Sequence, residues 1–362
     1  MSIEKLRVGV LGTSWWADQE HLPGLQARPD VDVVALCGRN PERLDAMATK
    51  YNVRQTFTDW RRLVARAGLD VLVILTPNVL HHPQALAAMD LGMHVICEKP
   101  LALNAAQARE LAARADAANV KTLTFFTHRA VAAAAHIKRL VGEGFLGRPL
   151  NVSAQYSTAS HLDPNKPLAW RNVRAEAGVG ALGDVGSHLI DLVRWWLGDF
   201  SRVIGQWQTA FRERPGGVAD ADDACAFLAQ MACGAQATFQ PNKLMAGRGN
   251  YQRIELAGTE GSLIYEAEPG YDETWEGRLY AGRPGAYGLR PVRLPKELSA
   301  DLKTPDETTS RNEAYHRLTD PFFKAIHYGG PTSPDFRDGA AVQAVVDAVA
   351  QSIETGKWVN VP

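Results

Sequence analysis

From Arg7 to Phe126 the chain alternates between two periodicities, and that alternation limits its fold more than any other feature. Strand-like apolar runs at Arg7–Leu11, Val31–Leu36, Asp70–Leu75, His94–Cys97 and Thr122–Phe126 are separated by helical segments. The helical patterns cover Asp18–Arg28, Pro41–Lys50, Asp59–Ala67, Val79–Leu91 and Ala105–Ala118. A strand–helix–strand crossover is right-handed and returns the chain parallel to itself in the same sheet. The repeated alternation therefore predicts a doubly wound parallel sheet. VDVVAL and VLVIL are nearly unbroken apolar runs, as strands covered on both faces require.

Beyond Phe126 the pattern changes. A helix at Val131–Gly142 and a strand at Pro149–Tyr156 precede the loop HLDPNKPLAW and a Gly-rich stretch that opens helix Ala181–Leu197. VIGQWQTAF, CAFLAQM, GAQATFQ, YQRIELAG and GSLIYEA then follow, separated by Gly, Pro and Asp with no helical period between them. That arrangement predicts an antiparallel sheet in an α+β domain. Residues 281–310 read as loop, and helices Asn312–His327 and Asp338–Gly356 precede a short strand in WVNV. The expectation is an α/β chain with a nucleotide-binding domain over residues 1–126 and an α+β domain over 127–362, which the length of 362 residues accommodates.

Composition narrows the function. A net charge of −1 with no basic or acidic block argues against a nucleic-acid or membrane surface. No apolar run reaches the roughly 18 residues of a bilayer span, and MSIEKLRVGV lacks the apolar core of a signal peptide. Cys37, Cys97, Cys225 and Cys233 show no C-x-x-C spacing and read as reduced thiols rather than metal ligands or disulfides. A cytoplasmic protein without metal is expected.

The first strand runs into VGVLGTSWWAD, residues 8–18. Gly12 stands where the turn of a G-x-G-x-x-G dinucleotide fingerprint begins, with Ser14 at its second glycine position and Ala17 at its third. Those glycines serve a tight turn, close approach of a pyrophosphate and close packing of helix on strand. Serine and alanine are small enough for both spacing tasks, and a serine hydroxyl adds a donor for phosphate at the helix N-terminus. Gly12, Thr13, Ser14, Trp15 and Trp16 are thus candidate cofactor contacts. The second strand ends in ALCGRN, where an NAD site places Asp or Glu to accept the ribose hydroxyls. Here Gly38 is followed by Arg39. Without the carboxylate a 2′-phosphate is not repelled, and a guanidinium can pair with it, so NADP is expected ahead of NAD. Arg39 stacking on the adenine of NAD, or standing in solvent, is the plainer alternative.

Two further strand ends carry polar residues. Leu75 is followed by Thr76-Pro77-Asn78 and His81-His82, and Cys97 by Glu98-Lys99-Pro100. Ligands of open α/β sheets bind beyond the carboxyl ends of strands, so Thr76, Asn78, His81, Glu98 and Lys99 join the candidates. Asn78 can also serve simply as a helix N-cap. In the second domain, AGVGALGDVGSHLIDLVRWWLGDF carries Asp184, His188 and Asp191. Asp184 and His188 are four apart and share a helix face, and a carboxylate beside an imidazole suits a general base or acid near neutral pH. For such a pair alone, a satisfied buried histidine is the simpler reading. The glycines before it (Gly178, Gly180, Gly183, Gly186) let the backbone approach something closely.

Several separated motifs together resemble one family. VGVLGTSWWA with HLPGL, TPN with His81, HVICEKP, WR followed by GALGDVGSHLID, and FRDGAAVQAVVDAV with GKWVNV are similar to the Gfo/Idh/MocA oxidoreductases, in the same order from Leu6 to the C-terminus. The resemblance implies an N-terminal Rossmann domain and a C-terminal domain whose large, mostly antiparallel sheet often forms an oligomer interface, hence a homodimer or homotetramer. It implies hydride transfer between a nicotinamide cofactor and a carbinol or ketone carbon of a sugar, polyol or related cyclic compound. By motif position Lys99, Asp184 and His188 match the family's catalytic Lys, Asp and His. In oxidation His188 takes the hydroxyl proton, Lys99 favours alkoxide-like charge on the substrate oxygen, and Asp184 holds the imidazole. Glu98 positions the nicotinamide end or Lys99, and Trp170-Arg171 matches a pair near the cofactor. His128, Tyr156 and Lys243 are further substrate contacts beside the three catalytic residues. The chain departs from the family's commoner pattern in its two missing glycines, in bulky Trp15-Trp16 and in RAVAAAAH after Thr127-His128. Two other functions stand beside this one: a dehydrogenase of a non-sugar cyclic alcohol such as a dihydrodiol, and a non-catalytic nucleotide-binding regulator, against which the joint presence of Lys99, Asp184 and His188 argues.

Overall fold

A computed structural model describes residues 4–268, 276–298 and 307–362. The chain divides into two compact units, Met1–Phe125 with Arg311–Ala340, and Phe126–Ser310 with Ala341–Pro362.

The first unit is built on six parallel strands: β1 (Leu6–Leu11), β2 (Val31–Cys37), β3 (Gln55–Phe57), β4 (Val71–Ile74), β5 (His94–Cys97) and β6 (Thr122–Thr124). Their order is β3-β2-β1-β4-β5-β6, with every pairing parallel. The direction of winding reverses between β1 and β4, and a crevice at the carboxyl ends of such a pair is where ligands of this architecture bind. Strand β3 has no counterpart in the sequence reading because QTF is too short to show a period of two. Leu11, Ile74, Val95, Cys97, Leu111 and Phe336 belong to one buried cluster on this sheet.

Residues 311–340, which the sequence pattern groups with the second domain, pack in the first unit. Tyr315 lies so close to Gly24 that a Cβ there would stand 2.3 Å from its ring, and Phe336 enters the sheet's core. Large apolar side chains thus return this segment to the first sheet after the chain has built the second. The expected single helix Asp18–Arg28 is a π-helical turn, Ala17–His21, leading into Leu22–Gln26.

The second unit carries a nine-stranded sheet. Its strands are β7 (Pro149–Ser157), β8 (Phe200–Gln208), β11 (Ala224–Met231), β12 (Gln236–Asn242), β13 (Tyr251–Gly258), β14 (Ser262–Ala267), β15 (Arg278–Gly282), β16 (Arg290–Pro291) and β17 (Val359–Asn360). β9 (Glu213–Arg214) and β10 (Gly217–Val218) form a separate small hairpin. The order is β16-β15-β14-β13-β7-β12-β11-β8-β17. All pairs are antiparallel but one: β12 runs parallel to β7, with Gln236 opposite Asn151 and Asn242 opposite Ser157. The sheet is therefore mostly antiparallel, as expected, and the one parallel pair is what the local pattern does not show. The long excursion after β7 lets the β8–β11–β12 meander return beside β7 in its own direction, which no local pattern records. Part of the loop-like stretch 281–310 lies outside the described residues. Among the described residues no helix is long and apolar enough to cross a membrane.

Candidate active site

In the first unit the candidates sit at four strand ends, those of β1, β2, β4 and β5. Gly12, after β1, has φ +125, and a Cβ there would stand 2.8 Å from the carbonyl oxygen of Leu75. Only glycine makes this turn. Ser14 Oγ accepts the backbone N–H of Ala17 at 3.2 Å, so the hydroxyl caps the π-helical turn at its start while remaining exposed. Gly38, after β2, is buried against Thr13: a Cβ would lie 2.6 Å from Thr13 Cγ2 and 2.7 Å from its Oγ1. No carboxylate-bearing side chain stands at 38 without displacing Thr13, and the next residue, Arg39, is exposed. The close turn at Gly12, where a Cβ would meet Leu75, and the exposed Ser14 hydroxyl fit a dinucleotide phosphate chain.

After β4, Thr76 donates its hydroxyl to Gln84 Oε1 at 2.7 Å. Asn78 opens a 3-10 turn, Asn78–Leu80, whose cap position is Pro77 with no side-chain bond, so its N-cap reading does not hold. His81 is fully buried, with Nδ1 2.9 Å from the Pro100 carbonyl and Nε2 2.9 Å from the Thr76 carbonyl. Burial pushes its pKa down against those two carbonyls. His81 thus sits between two strand-end turns, within hydrogen-bond reach of the Pro100 and Thr76 carbonyls.

After β5, Glu98 receives Trp16 Nε1–H at 2.7 Å and His21 Nε2 at 3.0 Å on Oε1, and the Lys99 backbone N–H at 3.2 Å on Oε2. Burial opposes its ionisation, but His21, the Lys99 charge and Trp16 outweigh burial and hold the carboxyl below its usual range. Glu98 therefore fixes the main chain that carries Lys99. It also turns Trp16 inward, while Trp15 is 59% exposed.

Beneath this turn lies a carboxyl that sequence reasoning did not single out. Glu20 is buried. Burial, aided by the charge of Glu98, pushes its pKa from 4.5 up to about 8, against the pull of Arg311, whose Nε is 4.0 Å away. The folded protein thus keeps a proton that the unfolded chain gives up above its ordinary value, so this group's contribution to stability falls as pH rises from about 4.5 to about 8. Glu20→Gln removes the titration. Its melting temperature relative to the parent should climb across that pH window and then level off, as thermal denaturation at a series of pH values will show. A constant difference would mean that Glu20 titrates normally.

In the second unit the candidates converge. The turn Thr127–Ala130 is joined to helix Ser187–Leu197 by a buried bidentate pair, Arg129 Nε and Nη2 donating to Asp191 at 2.8 and 2.6 Å. Asp191 thus acts at a distance on geometry. It fixes His128, next to Arg129, against His188, one turn back on the helix, and the two rings meet edge to face at 4.2 Å. Tyr156, from β7, packs 5.6 Å from the His128 ring and 6.1 Å from that of His188, and its hydroxyl donates to Asn250 Oδ1. Gln252 Nε2 donates to His128 Nδ1 at 3.0 Å. His128, Tyr156, Gln252 and His188 are all buried.

Asp184 sits in a π-helical turn, Leu182–Gly186, just before that helix. Lys243, from the end of β12, places Nζ 2.7 Å from Asp184 Oδ2 and is itself almost wholly buried. Arg171 Nε stands 3.9 Å from Oδ1, with its guanidinium 4.2 Å above the Trp170 ring. Trp170 and Arg171 form one short turn, Trp170–Asn172. Arg171 thus stands at the outer limit of ion-pair distance from the Asp184 carboxylate. Among the described residues no group of His, Cys, Asp and Glu is placed to hold a metal ion.

Two family models match this chain, an oxidoreductase family with an NAD-binding Rossmann fold over residues 6–126 and that family's C-terminal alpha/beta domain over residues 138–361. The chain belongs to the Gfo/Idh/MocA oxidoreductase family. A levoglucosan dehydrogenase of Pseudarthrobacter phenanthrenivorans is 32% identical over 352 residues, covering 89% of this chain and 88% of that protein. A D-xylose 1-dehydrogenase (NADP(+)) of Haloferax volcanii is 25% identical over 97% of this chain and 98% of its own. A solved structure of levoglucosan dehydrogenase in complex with NADH and levoglucosan superposes with a TM-score of 0.90 at 30% identity, covering 99% of this chain and 100% of that one. This chain is an oxidoreductase with an NAD-binding Rossmann domain.

What holds the oxidoreductase's motif helix in place was not legible beforehand. Asp222, buried before β11, accepts Leu182 N–H at 2.8 Å and Gly180 N–H at 2.5 Å, and its own carbonyl accepts Ala181 N–H at 2.7 Å. It therefore caps the Asp184 turn from another element, satisfying amides the helix start leaves open. Gly180 makes this possible: a Cβ there would stand 1.9 Å from the Asp222 carbonyl oxygen. Gly180→Ala is expected to cost about 1–3 kcal/mol by overpacking and to lower turnover through the displaced Asp184 turn. Thermal unfolding with steady-state kinetics checks both, and an unchanged melting temperature would contradict it.

Proposed function

We propose that this oxidoreductase transfers hydride between a nicotinamide dinucleotide, NADP(H) in preference to NAD(H), and a carbinol or ketone carbon of a sugar, polyol or related cyclic compound. The observation that carries this reading is a cluster of buried hydrogen-bonding side chains beside His188, namely His128, Tyr156 and, on His128, Gln252, with the Lys243–Asp184 pair at the turn that opens its helix. Buried polar groups need partners; these side chains are paired within the protein, and the donors and acceptors they keep beyond those bonds suit a polyhydroxylated ring. The naming of relatives as levoglucosan and xylose dehydrogenases agrees with it.

A bound nicotinamide dinucleotide supplies the hydride acceptor in oxidation and the donor in reduction. Gly12, Thr13, Ser14, Arg39, Thr76, Glu98 and Lys99 are the residues proposed to hold it. In oxidation the neutral imidazole of His188 takes the hydroxyl proton, and Asp184 and Lys243 set the polar surroundings in which it does so. Lys99, its main chain anchored on Glu98, is assigned the ammonium that favours alkoxide-like charge on the substrate oxygen. Reduction runs the same proton the other way. The wider sheet of the second unit, with Leu228 half exposed on it, is the surface proposed for a homodimer or homotetramer.

The cofactor preference is tested at Arg39. Because charge-assisted pairs with phosphate are roughly twice as strong as neutral ones, Arg39→Ala should weaken NADP+ about tenfold or more while leaving NAD+ nearly unchanged in fluorescence titrations. If the parent protein binds NAD+ better than NADP+, the preference is wrong.

A further inference from the structure

The loop between β7 and the Trp170 turn contains a histidine that no motif marks. His161 is buried, with Nδ1 2.6 Å from Asp223 Oδ1. Asp223 is itself buried, and its other oxygen accepts the backbone N–H groups of Ala210 at 2.8 Å and Phe211 at 3.4 Å. A carboxylate facing those amides acts as an acceptor only, so it takes Nδ1–H from His161 and leaves Nε2 as the ring's acceptor.

The main chain around this dyad is tied directly to the Asp184–Lys243 pair. His161 N–H donates to the Lys243 carbonyl at 3.1 Å, and Lys243 N–H donates to the Asp223 carbonyl at 2.9 Å. Arg214 pins the loop from behind, donating to the carbonyls of His161 and Asp163 at 3.0 Å each. Burial lowers the pKa of the His161 imidazole, Asp223 raises it, Lys243 lowers it and Asp184 raises it, with a net shift downward. Of the charged groups that act on the ring, Asp223 bonds it directly, while Lys243 and Asp184, the pair at the proposed reaction site, act through their charge, Lys243 being joined to the His161 main chain. A ring held by Asp223 on a loop whose main chain is bonded to that of Lys243, with its pKa lowered, presents Nε2 as one defined acceptor.

We propose that His161, oriented by Asp223, is a specificity-determining residue that accepts a hydrogen bond from a substrate hydroxyl other than the one oxidised. The inference rests on the sugar or polyol reading above and adds to it a requirement for a second hydroxyl. A site built to pair with a hydroxyl discriminates against an analogue that lacks it, because the paired group is then left unsatisfied. Two variants separate this role from a structural one. His161→Gln removes the ring. Asp223→Asn keeps the shape, but with the carbonyl oxygen retained by the Ala210 and Phe211 amides its NH2 meets Nδ1 and forces the proton to Nε2, turning the acceptor into a donor.

The experiment measures kcat and KM of holoenzyme for a cyclic polyol substrate and for its deoxy analogues, in the parent and both variants, with thermal unfolding to verify folding. The expected result is a KM for the full substrate about three- to tenfold higher, kcat little changed, and loss of discrimination against one particular deoxy analogue. Equal losses of kcat on all substrates, or discrimination that survives in both folded variants, would overturn the role of His161 while leaving the enzyme's reaction standing. A parent that turns over no sugar or cyclitol would overturn the functional reading and this inference with it.

Discussion

His188→Asn is expected to lower turnover by about 10²- to 10⁴-fold, the usual contribution of a positioned general acid–base group, with cofactor binding unchanged. The expectation comes from how tightly the ring is placed. His188 is buried, its edge meets His128 at 4.2 Å, and its helix is locked to the neighbouring turn by the buried Arg129–Asp191 pair. An imidazole held in one orientation loses little freedom when it accepts a proton, whereas an asparagine at the same place cannot take one. Steady-state kinetics with a cofactor titration on the same preparation separates chemistry from binding. A variant that retains most of its turnover would remove the proton-transfer role from His188.

Lys243→Met comes next in expected effect. Its ammonium is almost wholly buried and lies 2.7 Å from Asp184, whose side chain is 27% exposed. Methionine fills similar space without charge, so the change tests the cation alone. Breaking a fully buried pair costs about 3–5 kcal/mol because a charge is left uncompensated. The partial exposure of Asp184 lets water take up part of that role, and about 1–3 kcal/mol is expected here. Arg171 does not replace the lysine: at 3.9 Å, with half of its side chain in solvent, it contributes little. Turnover should fall about 10- to 100-fold, equivalent to about 1.4–2.7 kcal/mol of transition-state stabilisation. If turnover and melting temperature both stay at parent values, Lys243 does not hold Asp184. The sequence reading placed Lys243 among the substrate contacts; in the structure its ammonium pairs with Asp184.

Much of the fold was legible because its signals are local. The alternation of VDVVAL and VLVIL with helical segments carries the parallel sheet, and the turn after β1 carries its glycine in plain view. What escaped is non-local. QTF is too short for a period, so β3 was invisible. Tyr315 and Phe336 look like ordinary apolar positions of late helices, and nothing in their spacing says that they pack with Gly24 and the first sheet. The parallel β7–β12 pair depends on where a long excursion ends. At the site, Lys99, Asp184 and His188 stood out by motif, but the residues that aim them did not. Asp222 and Asp223 read as turn residues before CAFLAQM, and His161 as part of a Pro/Asn-rich loop. One buried acidic doublet preceding a core strand is the signal that could have flagged them, since charged groups rarely enter a core unless paired.

The central claim is hydride transfer to a nicotinamide from a hydroxylated ring. Its most direct test is steady-state reduction of NADP+ and NAD+ against a panel of pyranoses, anhydrosugars, polyols and cyclitols. The expected result is turnover with at least one cyclic member of the panel and a higher kcat/KM with NADP+ than with NAD+. Binding of both cofactors with no reduction of either by any member would contradict it.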